Sequence, residues 1–501
     1  MKPKVILVRP KNFLSINNYP PLALVLLGTT LEQAGYDVEI YSVANHDACM
    51  KQVIDKAKDA LLVGITALTT EVANALEISQ KIKQACNTPI VWGGWHVTLF
   101  PGQCADSRFI DYAVVHEGDL AIVQIADALR NNKRPTDKII RTEGFINLDN
   151  LPLPNYGLVK EIDGFVTSPL CDRFQEIMNR RIRWLPYQSS RGCPHKCSFC
   201  INIVTDNQQY RMRSAEKTVD ELEHLTEKYK IDHFKILDDN FFVSKERVSK
   251  FCDLVLKRNI KFTWDGECRV DYFKSDYLND DFLRLLRRTG LVQLVLGAES
   301  ASKQTLRYLQ KEISSEQTEN AVYSLQKHGI VPDCAFIVGL PQETRLEMHK
   351  TAEFINRMRK YDLFTCGVQT YRPYPKSRIA EELVKQNKLY QPKKLEEWQD
   401  EKTVGLFTYV DAKRPWIEDY KFAMNISYYQ SVASGVWLFQ HQINNSFMRF
   451  VNSLFRKIAA FRSRYFFFAL PFDKKIYSYF RLKVYQQNEK LDNSATIKKD
   501  A

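Results

Sequence analysis

The chain contains no apolar run of about eighteen residues, the length a helix needs to cross a bilayer. The opening "MKPKVILVRPKN" carries only the short apolar run Val-Ile-Leu-Val, less than a secretory signal requires, so a cytoplasmic protein is expected. With 11 cysteines in 501 residues, thiols are too sparse for a disulfide scaffold, and any cluster of them reads as metal-binding or catalytic. The first ~135 residues lack the Gly-x-Gly-x-x-Gly turn of dinucleotide sites and the Gly-x-x-x-x-Gly-Lys loop of nucleoside triphosphate sites, so neither ligand is expected there. Solenoid repeats and low-complexity tracts are also lacking. The length predicts about two to four domains.

What is present is strand–helix alternation. "KVILVRP", "DVEIYSV", "LLVGITAL", "PIVWGGWH" and "YAVVHEGD" read as buried strands, with helical stretches such as "EVANALEISQKIKQAC" between them. The pattern predicts an α/β chain whose N-terminal domain, residues 1–135, is a doubly wound parallel sheet. Residues 136–185, with "INLDNLPLPNYGLV", read as a linker. Six further strand–helix repeats over 186–375 predict a partial (β/α)6 TIM-like barrel, with its chemistry at the carboxyl-end loops. Residues 376–501 are expected to be mainly α-helical and end in a basic, aromatic tail. Between Asn445 and Tyr485 nine basic residues face one acid, Asp473, so this stretch holds +8 of the net charge of +12. Packing on the barrel, contact with an anionic membrane and nucleic-acid binding each account for such a tail. Nucleic acid is not expected, because no recognised binding fold accompanies it. The final "NEKLDNSATIKKDA" has the composition of a disordered end.

The sharpest signal is "SSRGCPHKCSFC", with Cys193, Cys197 and Cys200 spaced Cys-x-x-x-Cys-x-x-Cys after a strand and a glycine. Three thiols on one short loop suit three corners of an iron–sulfur cube, leaving the fourth iron for a substrate or cofactor. The alternative is a zinc knuckle, with His195, Cys171 or Cys268 as fourth ligand and a non-catalytic binding role for the protein.

With Phe199 as the aromatic before the last cysteine, the loop resembles the signature of the radical S-adenosylmethionine (SAM) enzymes. The resemblance implies a [4Fe–4S] cluster on Cys193, Cys197 and Cys200, SAM chelated at the open iron, and a 5′-deoxyadenosyl radical that abstracts hydrogen from unactivated carbon. "LDDNFF" resembles the segment that meets the amino group of SAM, through Asp238, Asp239 and Asn240. "GECRVD" sets Glu267 and Arg269 on one strand face, the arginine suited to a carboxylate. "GAES" offers Glu299 and Ser300 for ribose hydroxyls, and "VGLPQET", with Gly339, Pro341 and Glu343, resembles the segment beside the adenine. Capping, local ion pairs and a plain turn are the structural alternatives for the same residues.

The first domain resembles the cobalamin-binding domains fused ahead of radical SAM domains. The matching pieces are "YPPLALVLLGTTLEQAGYDVEIY", "GITALTT", "GGWHVTLFP" and "DYAVVHEGD". Thr66, Thr69 and Thr70 are suited to the nucleotide tail, Gly93 and Gly94 to close backbone approach, and His96 or His116 to the vicinity of the corrin. A structural histidine is the alternative for both, and a sheet without cofactor is the alternative for the domain. The loop after the first strand, "RPKNFLSINNYPP", lacks the Asp-x-His-x-x-Gly of histidine-ligated cobalamin domains, which implies cobalt without a protein histidine.

Together the two resemblances imply a cobalamin-dependent radical SAM enzyme that moves a methyl group from methylcobalamin to an unactivated carbon. A radical SAM cyclase or rearrangement enzyme without methyl transfer is the nearest alternative. Expected partners are a small-molecule or lipid substrate and an electron donor such as flavodoxin or ferredoxin, with peripheral membrane contact through the tail left open.

Overall fold

The computed structural model describes residues 2–11, 19–43, 46–142, 144–160, 162–166, 182–205, 209–407, 413–435 and 446–477. The chain forms two compact units that interleave along the sequence. Unit 1 comprises Met1–Ser168, Leu185–Tyr229 and Arg372–Lys413; unit 2 comprises Pro169–Trp184, Lys230–Tyr371 and Arg414–Ala501.

Unit 1 is built on a six-stranded parallel sheet in the order β2-β1-β3-β4-β5-β6. Its strands are β1 (Lys4–Arg9), β2 (Asp37–Ser42), β3 (Leu62–Thr66), β4 (Ile90–Gly93), β5 (Tyr112–Val115) and β6 (Ile139–Arg141). The central strands are covered on both faces, so "VILV" of β1 and "YAVV" of β5 are buried throughout, the continuous apolar run a parallel sheet requires. Helices α1 (Leu22–Gln33), α2 (His46–Ala57), α3 (Val72–Ala85), α4 (Trp95–Leu99), α5 (Pro101–Asp106) and α6 (Asp119–Arg130) connect them. Gly35, at φ +94°, closes the turn after α1, where a side chain is disfavoured. The strand order reverses between β1 and β3, and in open α/β sheets ligands lie outside the carboxyl ends at such a reversal. Strand β6 falls within the stretch read as linker; its three residues are too few to show a strand period.

Unit 2 carries the second parallel sheet, in the order β14-β13-β12-β11-β10-β7. β10 is His233–Ile236, β11 Thr263–Cys268, β12 Leu291–Glu299, β13 Val331–Val338 and β14 Thr365–Thr370; the sixth strand, β7 (Trp184–Tyr187), starts where the chain leaves the unit. Pairing is parallel throughout β10–β14, as the strand–helix repeats require. The free edge of β14 is closed by the helix Tyr420–Ala433. There the Ser431 hydroxyl accepts the Val368 N–H at 3.0 Å and the Ser427 hydroxyl donates to the Val368 carbonyl at 2.7 Å, so one helix face satisfies an edge that would otherwise template pairing. The helix Ser446–Arg464 packs on the same helix, burying Ala459 with Tyr428, Tyr429, Val432 and Tyr477. Among the described residues no helix is long and apolar enough to cross a membrane. The chain end "NEKLDNSATIKKDA", Cys171 and most of the loop after β1 lie outside the described residues.

Candidate active site

In unit 1 the loops after β3 and β4 meet. The Ala67 N–H donates to the Gly93 carbonyl at 2.9 Å, and the His96 N–H to the Ala67 carbonyl at 3.0 Å. Gly94 sits at φ +97° and ψ −175°, a region open to glycine alone. A Cβ there would lie 2.9 Å from the Thr66 hydroxyl oxygen and 3.0 Å from the Ala67 carbonyl, so Gly94 serves the contact between loops. Gly93 differs: a Cβ would find nothing nearer than Val114 at 4.0 Å, and bare backbone faces open space at the end of β4. Leu68 and Trp95, on the same two loops, are exposed large apolar side chains. Thr66, Gly93, Gly94 and His96 are thus brought to one sheet end.

His96 does not stand at the surface of that end. It is fully buried against Phe100 and Trp398, with ring centroids 5.2 and 5.1 Å away, and its Nδ1 is 3.3 Å from the Thr69 hydroxyl. Burial pushes its pKa down to about 3, so the ring is neutral. Its packing is that of a core histidine. His116, at φ +65°, is exposed on the loop after β5.

The cysteine loop belongs to the same unit. Its root is a two-residue antiparallel pair, β8 (Ser190–Arg191) with β9 (Arg211–Met212). Gly192, at φ +78°, turns the chain out of β8, and the Cys200 N–H closes a turn on the Cys197 carbonyl at 3.0 Å. Cys197 is buried, Cys193, Phe199 and Cys200 are half-buried, and none of the three thiols is in a disulfide. Among the described residues no three His, Cys, Asp or Glu side chains gather as ligands of one ion. A single zinc needs its ligands within about 2.3 Å of one point, whereas a cube takes each thiolate at a different iron. The donor set, three thiols on one glycine-rooted loop, fits the cluster.

An ion-pair network ties the loop's root to the first sheet. Arg191 donates to both oxygens of Asp119 at 2.8 and 3.2 Å and lies 3.2 Å from Glu117; Arg211 forks onto Glu117 at 2.5 and 3.1 Å. Burial alone would lower the Arg191 pKa, but Asp119 and then Glu117 outweigh it and raise it. Beside this network, Arg213 pairs with Glu221 at 2.8 Å and the Tyr187 hydroxyl donates to Glu221 at 2.7 Å. In the sequence, "HEGD" and "SSRG" give these side chains no evident task; opposite charges at two strand ends are the available signal.

In unit 2 the remaining candidates lie at or just beyond strand ends. Asp239 and Asn240 follow β10, and the Asn240 amide donates to the Tyr272 hydroxyl at 2.9 Å. Arg269 directs its fork at Asp271, at 2.9 and 3.1 Å, and at the Lys311 carbonyl. Glu299, at φ +60°, is buried in an ion pair with Lys311 at 2.9 Å. Gly297 makes room for that pair, since a Cβ there would lie 2.6 Å from the Lys311 ammonium. Ser300 shares a hydrogen bond with Thr351 at 2.9 Å and accepts the Ser302 N–H, a local turn contact. Gly339, at φ +73°, donates its N–H to Glu343 at 2.6 Å, and Leu340 does so at 3.2 Å. Burial pushes the Glu343 carboxyl up to about 8 against those two donors. Desolvation by surrounding atoms likewise lifts Glu267 to about 7, opposed by Lys235 and reinforced by Asp239, although the side chain keeps access to solvent. Gly297 opens the "GAES" segment but carries no side chain to suggest a task, and Lys311 falls in no recognisable motif.

Comparison with known families divides the chain in sequence order, the second match running from unit 1 into unit 2. The family model of the B12 binding domain matches residues 16–126, and that of the Radical SAM superfamily matches residues 187–355. The chain is a radical SAM enzyme with a B12-binding domain. This radical SAM enzyme is 28% identical over 409 residues to an uncharacterised methyltransferase of Pyrococcus horikoshii, covering 77% of its own length and 84% of the relative's. It is also 28% identical over 389 residues to the anaerobic magnesium-protoporphyrin IX monomethyl ester cyclase of Rubrivivax gelatinosus, covering 73% of itself and 66% of that protein. Among solved structures, the radical SAM methyltransferase TsrM of Kitasatospora setae, with cobalamin and a [4Fe–4S] cluster bound, matches with a TM-score of 0.61 at 19% identity, over 77% of this chain and 75% of that one. The cobalamin-dependent radical enzyme OxsB, with aqua-cobalamin and SAM bound, matches with a TM-score of 0.66 at 16% identity, over 93% and 72%. The B12-binding radical SAM enzyme therefore shares their fold.

Proposed function

We propose that the chain is a cobalamin-dependent radical SAM methyltransferase that transfers a methyl group to an unactivated carbon. Within this reading, residues 1–135 form the cobalamin domain, 186–375 the radical SAM domain and 376–501 a helical region. When bound, the [4Fe–4S] cluster and SAM supply one-electron chemistry and the 5′-deoxyadenosyl radical, and cobalamin supplies the methyl group.

The observation that carries the reading is the partly buried network of Arg191, Asp119, Glu117 and Arg211, which ties the root of the three-cysteine loop to the loop after β5, at the sheet end where Gly93 has bare backbone. Two cofactors that act on one substrate need such a fixed mutual position. Cys193, Cys197 and Cys200 hold three irons. Thr66 and the Gly93 backbone receive the polar tail of cobalamin, and Leu68 and Trp95 offer apolar contact to its flat ring. His96 holds the two loops from inside the core. Asp239 and Asn240 receive the ammonium of SAM, Glu299 and Ser300 its ribose, Arg269 its carboxylate and the Gly339 turn its adenine. Phe199 shields the cluster. A one-electron donor of the flavodoxin or ferredoxin type drives turnover on a small-molecule substrate.

The identity to the cyclase favours a second reading, ring closure or rearrangement without methyl transfer. Cells grown with methionine labelled in its methyl group, with and without the intact gene, separate the two. A metabolite that carries the label only when the gene is intact supports methyl transfer. A gene-dependent product with no labelled methyl supports the cyclase-type reaction.

A further inference from the structure

The C-terminal end of unit 2 presents an apolar surface that no helix among the described residues covers. On the helix Ser446–Arg464, Asn452, Ala459 and Ser463 face inward and are buried. Phe450, Leu454 and Phe461 project from the opposite face, within about 40° of one another at 100° per residue, and are 66%, 47% and 58% exposed. The surface continues past the helix end through Tyr465, Phe467, Leu470, Phe472 and Ile476, all exposed. The buried inward positions are small or polar, so the large exposed apolar side chains of this helix stand on the face turned away from its own packing, the reverse of an ordinary surface helix. Eight large exposed apolar side chains within one short stretch form a patch that water-facing surfaces ordinarily avoid.

The charges around the patch select its partner. Lys457, Arg464 and Lys475 are exposed among these side chains, with Lys474 half-buried beside them. The sole acid from 446 to 477 is Asp473, held in an ion pair with Arg462 at 3.0 Å. We infer that this surface docks on an anionic lipid bilayer, with the aromatic and aliphatic side chains in the headgroup layer and the cations on lipid phosphates. A second copy of the chain would bring like charge against like. Residues 478–501 carry five basic and three acidic residues and offer no complementary charge. The inference stands apart from the reaction class and from the cofactors.

The test uses the full chain and sedimentation with vesicles of phosphatidylcholine containing about a quarter phosphatidylglycerol, against vesicles of phosphatidylcholine alone. The expected result is partition to the anionic vesicles, weakened by salt because the charge attraction is screened. The double variant Phe461→Ser/Phe472→Ser and the charge variant Lys457→Glu/Lys475→Glu should each weaken it by about tenfold or more, with unchanged far-UV circular dichroism. Lack of partition by the intact chain overturns the inference. So does undiminished partition of both variants. A self-association that the serine variant abolishes overturns it in favour of a copy–copy interface, and binding of single-stranded RNA without vesicle binding in favour of nucleic acid. Vesicle binding that emerges only on truncation after Tyr477 shows the chain's own end covering the patch, and overturns it too.

Discussion

Glu343 holds a proton in a range where carboxyl groups are ordinarily ionised, because it is buried beneath the Gly339 turn. An acid whose folded pKa lies above its unfolded value binds more protons when folded between the two, so stability falls as pH rises through that window. The window runs from about 4.5 to about 8. Glu343→Gln copies the protonated acid, and its denaturation midpoint should fall less than that of the parent between pH 5 and pH 8, a difference read from urea titrations across that range. Gly94 makes a second residue-scale case. Its ψ and φ exclude a side chain, and the Thr66 hydroxyl and Ala67 backbone fill the space a Cβ would take. Gly94→Ala should cost about 1–3 kcal/mol, measured by the same titration, whereas Gly93→Ala, with open space around it, should leave stability unchanged. If Gly93 lies against cobalamin, that second variant should instead lower cobalt content. The roles of single residues were the least legible part of the sequence. The three cysteines announce themselves by spacing. His96 did not disclose its burial, since a histidine after Gly-Gly-Trp reads equally as ligand or core, and only the packing of Phe100 and Trp398 on its ring decides it.

At the scale of elements the sequence was more informative, because hydrophobic period and glycine stops act locally. The first five strands of the first sheet fall where their apolar runs predict, from "KVILV" of β1 to "YAVV" of β5. The short β6 lies within the stretch that reads as linker, and the pairing of β8 with β9 depends on residues about twenty positions apart that no local pattern connects. The ion pairs on that small ladder are the element-scale prediction. Arg191→Met leaves the Asp119 carboxylate buried without its fork, and removal of one partner of such a pair costs about 3–5 kcal/mol. The double variant Arg191→Met/Asp119→Leu should recover part of that loss, with a coupling energy of about 0.5–3 kcal/mol. A coupling near zero would mean that the cysteine loop is positioned by something else. The edge of β14 offers a parallel test: Ser431→Ala removes the acceptor of the Val368 N–H and should cost about 1–3 kcal/mol, visible as faster amide exchange at Val368.

For the whole molecule, the order of domains was readable and the spatial division was not. The cysteine loop and residues 372–413 join the first sheet in unit 1, although the sequence places them with and after the barrel. Long-range charge pairs and the burial of Trp398 against His96 bring about that exchange, and neither leaves a periodic trace. The net charge also divides unevenly along the chain, with +8 of the +12 between Asn445 and Tyr485. The account as a whole rests on three thiolates leaving one iron of a cube open, beside a sheet that carries cobalamin. Mössbauer spectra and cobalt analysis of the anaerobically reconstituted chain test this together. The account predicts one iron site that shifts when SAM is added and about one cobalt per chain, with the iron signal lost in Cys197→Ala. Zinc in place of iron, or a cluster with no iron that responds to SAM, would contradict it.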